Sequence, residues 1–138
     1  MMDFLSEPKT IDFYASHEMQ RQCGQSVFEA LAGRHRCAWR GERDNPSPGA
    51  ETAIVLGHIS DFPQARKSRG GYSYAFFLSH DLGEMDAVYA DLYMRQFDIV
   101  FTPGERHAAN ARRHLGEGQR VEIVGWPKYD VTVLGAGQ

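Results

Sequence analysis

The segment from Asp98 to Asp130 reads as one strand, helix and strand unit, and no other part of the chain constrains the fold as strongly. Residues 98–101 form a short run of β-branched and aromatic side chains, which is typical of a buried strand. A helical pattern follows and ends at Gly116, and residues 121–124 form a second apolar run. Because such crossovers join parallel strands, the sequence predicts an α/β protein.

The start of the helix in this unit carries three local signals. Thr102 is predicted to be the N-cap, Pro103 the first helical residue, and Glu105 the acidic residue three positions after the cap. The backbone N–H groups that follow Thr102 could also receive a phosphate, as at other helix N-termini. An ordinary capping box explains the same residues, and the pattern by itself favours that interpretation.

The same alternation of strand and helix patterns runs through the earlier part of the chain. Short apolar runs predict further strands at 11–15, 36–39, 52–56 and 74–78, and helical spacing predicts helices at 17–32 and 85–96 with a short polar helix before Gly70. About six strands with helical crossovers indicate a Rossmann-like, doubly wound, mainly parallel sheet with helices on both faces.

Length and composition set the domain organisation. A chain of 138 residues with 42% hydrophobic side chains suits one domain, which we place at residues 11–130, after a flexible lead-in at 1–10. Residues 131–138 are then the start of an interdomain linker or a C-terminal tail. Cys23 and Cys37 lack metal-site spacing and are expected to be free thiols of a reducing compartment.

The charge and hydropathy patterns exclude some classes of partner. The net charge of -3 and the pI near 6.0 provide no basic field for nucleic acid, so no nucleic-acid partner is expected. No apolar run approaches the roughly 18 residues of a membrane span, and the N-terminus lacks a signal-peptide core. The sequence therefore predicts a soluble cytoplasmic protein.

Polar side chains cluster directly after the predicted strands, where ligands bind in open parallel sheets. Three of the six histidines, His17, His58 and His80, lie at such positions. Next to Asp81, His80 could act as a general base on a hydroxyl acceptor, although it could equally hydrogen-bond a loop carbonyl. His17 could simply begin the first helix, and His58 could pack under its loop. A metal shared by the three histidines is the minority interpretation.

Several well-known site motifs are absent from the sequence. No Gly-x-x-x-x-Gly-Lys-Ser/Thr motif is present, and no Gly-x-Gly-x-x-Gly follows the first strand, so P-loop chemistry and dinucleotide binding are unsupported. No Gly-x-Ser-x-Gly elbow marks a hydrolase nucleophile. We therefore expect neither a cofactor nor a metal.

Three short segments carry a resemblance to a known family. They are Leu78-Ser79-His80-Asp81, Asp98-Ile99-Val100-Phe101-Thr102-Pro103 and Val124-Gly125-Trp126-Pro127-Lys128-Tyr129-Asp130. In this order they resemble the N-terminal, acceptor-side domain of GT-B-type transferases, most closely the CDP-glycerol glycerophosphotransferase family and more distantly the UDP-N-acetylglucosamine 2-epimerases. The first half of the chain matches only in its general organisation.

The resemblance implies a role in transfer from a nucleotide-activated donor, CDP-glycerol or a UDP-sugar, to a hydroxyl acceptor in cell-envelope polysaccharide synthesis. His80 takes the place of the loop histidine that acts as base, and Asp81 replaces the glycine that usually follows it. The residues expected to contact substrate are His17, His58, Ser60, Thr102, Gly104 and Lys128.

The resemblance also implies a missing half. A GT-B enzyme holds its donor mainly in a second domain, so this chain is expected to need a second domain or subunit and to be inactive alone. The resemblance is also compatible with peripheral association with a membrane. It would then be a fragment, a natural half or a relic. The alternative is a non-catalytic Rossmann-like binding or assembly module, with Trp126 and Tyr129 forming a partner surface.

Overall fold

The computed structural model describes residues 7–41, 44–57, 71–78 and 92–125. The strands are β1 (Thr10–Tyr14), β2 (Arg36–Arg40), β3 (Thr52–Val55), β4 (Tyr74–Leu78), β5 (Ile99–Thr102) and β6 (Arg120–Ile123). The helices are α1 (Glu18–Ala32), α2 (Glu105–His114) and a 3-10 helix at Leu92–Gln96. These elements confirm the predicted α/β class.

All six strands belong to one parallel sheet. Their order is β2-β1-β3-β4-β5-β6, and each neighbouring pair runs in the same direction. From β1 the chain moves to one edge to form β2, and then returns to the other side of β1 to form β3. This reversal makes the carboxyl ends of β1 and β3 the topological switch point of the sheet.

One face of the sheet packs against α1. Phe13 is fully buried at its centre, and its ring lies 5.0 Å from that of Phe28 and 5.2 Å from that of Trp39. Phe28 and Trp39 stack on each other, and Arg21 lies over the Trp39 ring. This aromatic group anchors α1 over the β1 and β2 side of the sheet.

The opposite face packs against α2 and the 3-10 helix. Its buried side chains include Val55, Phe77, Met94, Val100 and Ala111. Met94 and Ala111 come from the two helical segments, and the other three come from neighbouring strands of the sheet. Described helices therefore cover both faces, as the sequence predicted.

Gly24 shows why a poor helix former occupies the middle of α1. A Cβ atom at this position would lie 2.4 Å from Cδ2 of the fully buried Leu56, at the end of β3. The lack of a side chain lets α1 lie closer to the sheet than an alanine would allow. Packing thus outweighs the roughly 1 kcal/mol of helix propensity that glycine loses relative to alanine.

The predicted start of the second helix was wrong. Its N-cap is Gly104 rather than Thr102, its first residue is Glu105, and no side-chain cap hydrogen bond forms. Thr102 instead ends β5, where it pairs with Ile123, and its carbonyl accepts a bond from the Val124 N–H at 2.9 Å. Pairing with β6 therefore extends β5 to Thr102, the residue that the local pattern predicted as the N-cap of the helix.

Other predicted boundaries agree closely with the structure. Strand β4 occupies the predicted residues 74–78, and α1 ends at Ala32 as predicted, with Gly33 as its C-cap. Of the predicted helix at 85–96, only residues 92–96 are described, as the 3-10 helix. The predicted short polar helix before Gly70 lies outside the described residues.

Candidate functional site

The carboxyl ends of β1 and β3 meet at the switch point, and the residues that follow them form the candidate site. Ser16 and His17 follow β1, and Gly57 follows β3. In an open parallel sheet the crevice at this position is where ligands bind, since the adjacent connections leave toward opposite faces. The structure thus brings the described starts of two of the predicted polar loops side by side.

Gln20 contacts the segments that follow both strands at this edge. Its Oε1 accepts the backbone N–H of Ser16 at 2.7 Å and the Ser16 hydroxyl at 3.1 Å, an interaction like a capping box at the third helical residue. Gln20 is 4% exposed. The Gln20 carboxamide thus holds the segment before α1 against the first turn of the helix, while the His17 side chain makes no cap hydrogen bond.

Gly57 fits between two side chains at the same edge. A Cβ atom there would lie 2.2 Å from Nε2 of Gln20, so a larger residue would displace the carboxamide. The Tyr93 hydroxyl donates to the Gly57 carbonyl at 2.7 Å. Gln20 and Tyr93 therefore hold the start of the loop after β3 in a fixed position.

The sequence-predicted site residues that the structure describes lie at the carboxyl edge, but not all together. His17 is exposed as the N-cap of α1. Thr102 ends β5 and Gly104 follows it, and β5 is three strand positions from β1, or about 14 Å. The other predicted residues, His58, Ser60, His80, Asp81 and Lys128, lie outside the described residues.

Two polar side chains near the start of α2, Thr102 and His107, are buried. Thr102 is fully buried and donates its hydroxyl to the Glu122 carbonyl at 3.3 Å, so that hydroxyl links β5 to β6. His107 is 6% exposed in the first turn of α2. Burial, followed by the neighbouring Arg106, lowers the pKa of His107 and favours a neutral imidazole. Thr102 and His107 are therefore shielded from solvent, whereas Glu105 and Arg106 in the same turn are exposed.

A buried polar cluster lies beneath the switch point, and sequence reasoning missed it. Asp12, in the middle of β1, is fully buried. Its Oδ2 accepts the Tyr72 hydroxyl at 2.6 Å and the Ser47 N–H at 2.7 Å, while its Oδ1 has no hydrogen-bond partner among the described residues. The carboxylate thereby fastens the connection between β2 and β3 onto β1.

The hydroxyls of this cluster form a directed chain. Tyr14 and Tyr72 lie 2.6 Å apart through their hydroxyl oxygens. Since Tyr72 has one proton and donates it to Asp12, Tyr14 must donate to Tyr72. Burial is the main factor that raises the pKa of Tyr14, and burial followed by the Asp12 hydrogen bond raises the pKa of Tyr72 further. Both phenols therefore stay protonated and act as donors.

A signal for this cluster does exist in the sequence. Asp12 stands within the apolar run 11–15, and a charged residue in a buried strand requires hydrogen-bond partners. The identity of the partners could not be predicted, because Ser47 and Tyr72 are 35 and 60 positions away along the chain.

Replacing Tyr72 with phenylalanine should destabilise the fold by about 1–3 kcal/mol, since the buried carboxylate loses a donor while the ring is kept. The free energy of unfolding in urea measures this change. Tyr74→Phe is the matched control, because Tyr74 is 47% exposed. Equal effects of the two substitutions would contradict the role assigned to the Asp12 hydrogen bond.

No protein-family model, curated protein or solved structure matches this chain. Among the described residues, no helix is long and apolar enough to cross a membrane, and no group of three or more histidine, cysteine, aspartate or glutamate side chains could hold a metal ion. Within the same part of the chain, Cys23 and Cys37 are partly buried and form no disulfide.

Proposed function

We propose that this chain is the acceptor-side domain of a glycosyl or glycerophosphate transferase, and that a second domain or subunit holds the nucleotide-linked donor. The observation that carries the proposal is the switch point between β1 and β3, with exposed Ser16 and His17 beside Gly57. A hydroxyl acceptor needs hydrogen-bonding groups in an open crevice. The switch point of a parallel sheet supplies such a crevice.

In the proposed reaction His80 is the general base. It takes the proton of the acceptor hydroxyl while that oxygen forms a bond to the transferred sugar carbon or glycerophosphoryl phosphorus. The bond between the transferred group and the nucleotide breaks, and the nucleotide leaves with the electron pair. Asp81 supports the charged imidazole, and His17, His58, Ser60, Gly104 and Lys128 position the acceptor. Thr102 contributes only its backbone, because its hydroxyl is bonded to β6.

One observation supports the alternative, a non-catalytic binding or assembly module. Strand β6 lies at the edge of the described sheet, and Ile123 and Val124 at its end are 40% and 47% exposed. An edge strand with apolar exposed side chains is suited to pairing with another chain. The same surface could also contact a donor subunit. Ligand binding, and not assembly with a partner, therefore distinguishes the two proposals.

A titration followed by amide NMR tests the transferase proposal. With glycerol 3-phosphate as a soluble hydroxyl acceptor, the largest shift changes are expected at Ser16, His17 and Gly57, because these residues border the crevice. CDP-glycerol and UDP-N-acetylglucosamine should cause smaller changes, since the donor is held elsewhere. Shifts confined to Ile123 and Val124, or no saturable shifts with any of the three compounds, would favour the module.

A further inference from the structure

Strand β6 forms one edge of the described sheet, where β5 is its only neighbour. Alternate residues of β6 bond to β5: the Arg120 N–H donates to the Asp98 carbonyl at 3.0 Å, and the Val124 N–H donates to the Thr102 carbonyl at 2.9 Å. Because backbone groups alternate in direction along a strand, those of Val121 and Ile123 point away from β5. This edge therefore presents backbone donors and acceptors to a further strand.

The side chains of β6 divide between the two faces of the sheet. Val121 packs against the buried cluster that includes Ala111 of α2, and Ile123, on the same face, is 40% exposed. Arg120 and Glu122 lie on the other face, where the guanidinium and the carboxylate are 2.6 Å apart. Their side chains are 70% and 43% exposed. The edge thus combines apolar residues with a positive and a negative charge two positions apart.

The outward backbone groups and the charge pattern together select one register for pairing with an identical strand. When two β6 strands run antiparallel, a twofold axis at Val121 places this residue opposite its own copy. Since its backbone groups point outward, the two copies of Val121 can exchange both hydrogen bonds. The same register places Arg120 of each copy opposite Glu122 of the other, in the non-hydrogen-bonded type of pair, where facing side chains lie closest. The edge of β6 is therefore complementary to itself.

The opposite edge of the described sheet, formed by β2, lacks this self-complementarity. Its charged residues are Arg36 and Arg40, and it contains no carboxylate. No register of two β2 strands can therefore place opposite charges across from each other. In addition, the Arg40 guanidinium donates to the Asn45 carbonyl at 3.0 Å. Of the two described edges, β6 is thus the one whose charges favour a second copy of the chain.

We propose that two copies of this chain associate through antiparallel pairing of their β6 strands, with Arg120 of each copy against Glu122 of the other. The two sheets then join into one continuous sheet, and the ion pair within each copy becomes part of an alternating charge network. Because the contact is isologous and uses β6 of both copies, the assembly closes as a dimer. The crevice at β1 and β3 lies at least three strand positions from β6, so the pairing does not rest on the transferase function.

Sedimentation equilibrium of the full chain, at concentrations up to about 1 mM, tests the proposal by measuring the Kd of dimerisation. The wild type should form a concentration-dependent dimer. Glu122→Arg and Arg120→Glu should each raise this Kd at least about tenfold, since each variant alone places like charges opposite each other. An equimolar mixture of the two variants should form a heterodimer with a Kd close to that of the wild type, because every cross-strand pair is again of opposite charge.

The matched control is Arg36→Glu, which reverses an exposed charge on β2 at the opposite edge. It should leave the Kd of dimerisation nearly unchanged, and circular dichroism checks that all variants are folded. Equal weakening by Arg36→Glu would overturn the assignment of the contact to β6. A mixture of the two β6 variants that stays monomeric would overturn the register. A wild-type chain that is monomeric at every concentration would overturn self-pairing altogether.

Amide hydrogen exchange of the wild-type chain provides a measurement that requires no substitution. The Val121 N–H should exchange more slowly at high than at low protein concentration, since the second copy supplies its acceptor. The Arg120 N–H is the internal reference, because it already donates to the Asp98 carbonyl within the chain. If the chain dimerises while the exchange rate of Val121 stays constant, the contact lies elsewhere and β6 pairing is rejected.

Discussion

His80→Ala is expected to lower the kcat of the proposed transferase assembly by about 10²–10⁴-fold, the usual contribution of a positioned general base. The alanine variant has no group that accepts the proton of the acceptor hydroxyl as the new bond forms. Release of the nucleotide product, measured with saturating donor and acceptor, reports the effect. Added imidazole should restore part of the lost rate, because it can replace the missing base.

His114→Ala is the matched control for this substitution. It also removes a histidine, but His114 ends α2 at the opposite edge of the sheet. Its kcat should remain close to that of the wild type. If His80→Ala leaves turnover unchanged in an active assembly, the base assignment is rejected, and a rate loss that imidazole does not restore would indicate a structural role.

Phe13→Ala is expected to destabilise the fold by about 3–5 kcal/mol, the usual cost of removing a buried phenylalanine ring. Phe13 is fully buried, and its ring contacts both Phe28 of α1 and Trp39 of β2. The substitution therefore loses transfer free energy and leaves a cavity between the helix and the sheet. Urea unfolding, monitored by Trp39 fluorescence and by circular dichroism, measures the change.

Met19→Ala serves as the control for the core substitution. Met19 is a large apolar residue of α1, the helix that packs against Phe13, but it is 72% exposed. Its replacement should change the free energy of unfolding by less than about 0.5 kcal/mol. A comparably small effect of Phe13→Ala would show that α1 does not pack on the sheet as described.

The strands were the most predictable part of the fold. Residues 74–78 are an unbroken apolar run, which is typical of a strand in a parallel sheet covered on both faces, and they form β4. The start of α2 was less predictable. Thr102 has the local signals of an N-cap, but its pairing with Ile123 in β6 keeps it extended, and the cap moves to Gly104.

The candidate site likewise contains some features that the sequence predicts and others that it does not. The position of His17 after the first strand could be predicted, because polar residues directly follow an apolar run. The contribution of Gln20 could not, since its carboxamide matters through a contact with Gly57, far away in the chain. Asp12 was visible as a charge in a buried strand, whereas Tyr72 and Ser47 emerged as its partners only in the folded chain.

The sequence by itself determined the α/β class, because the alternation of short apolar runs with helical spacing depends on local periodicity. The tertiary structure alone decided the strand order, with β1 between β2 and β3, and thus the location of the switch point. Strand order arises from pairing between distant segments, and local periodicity contains no information on which segments will pair. The Asp12 cluster has the same origin, since it is built from residues that only the folded sheet brings together.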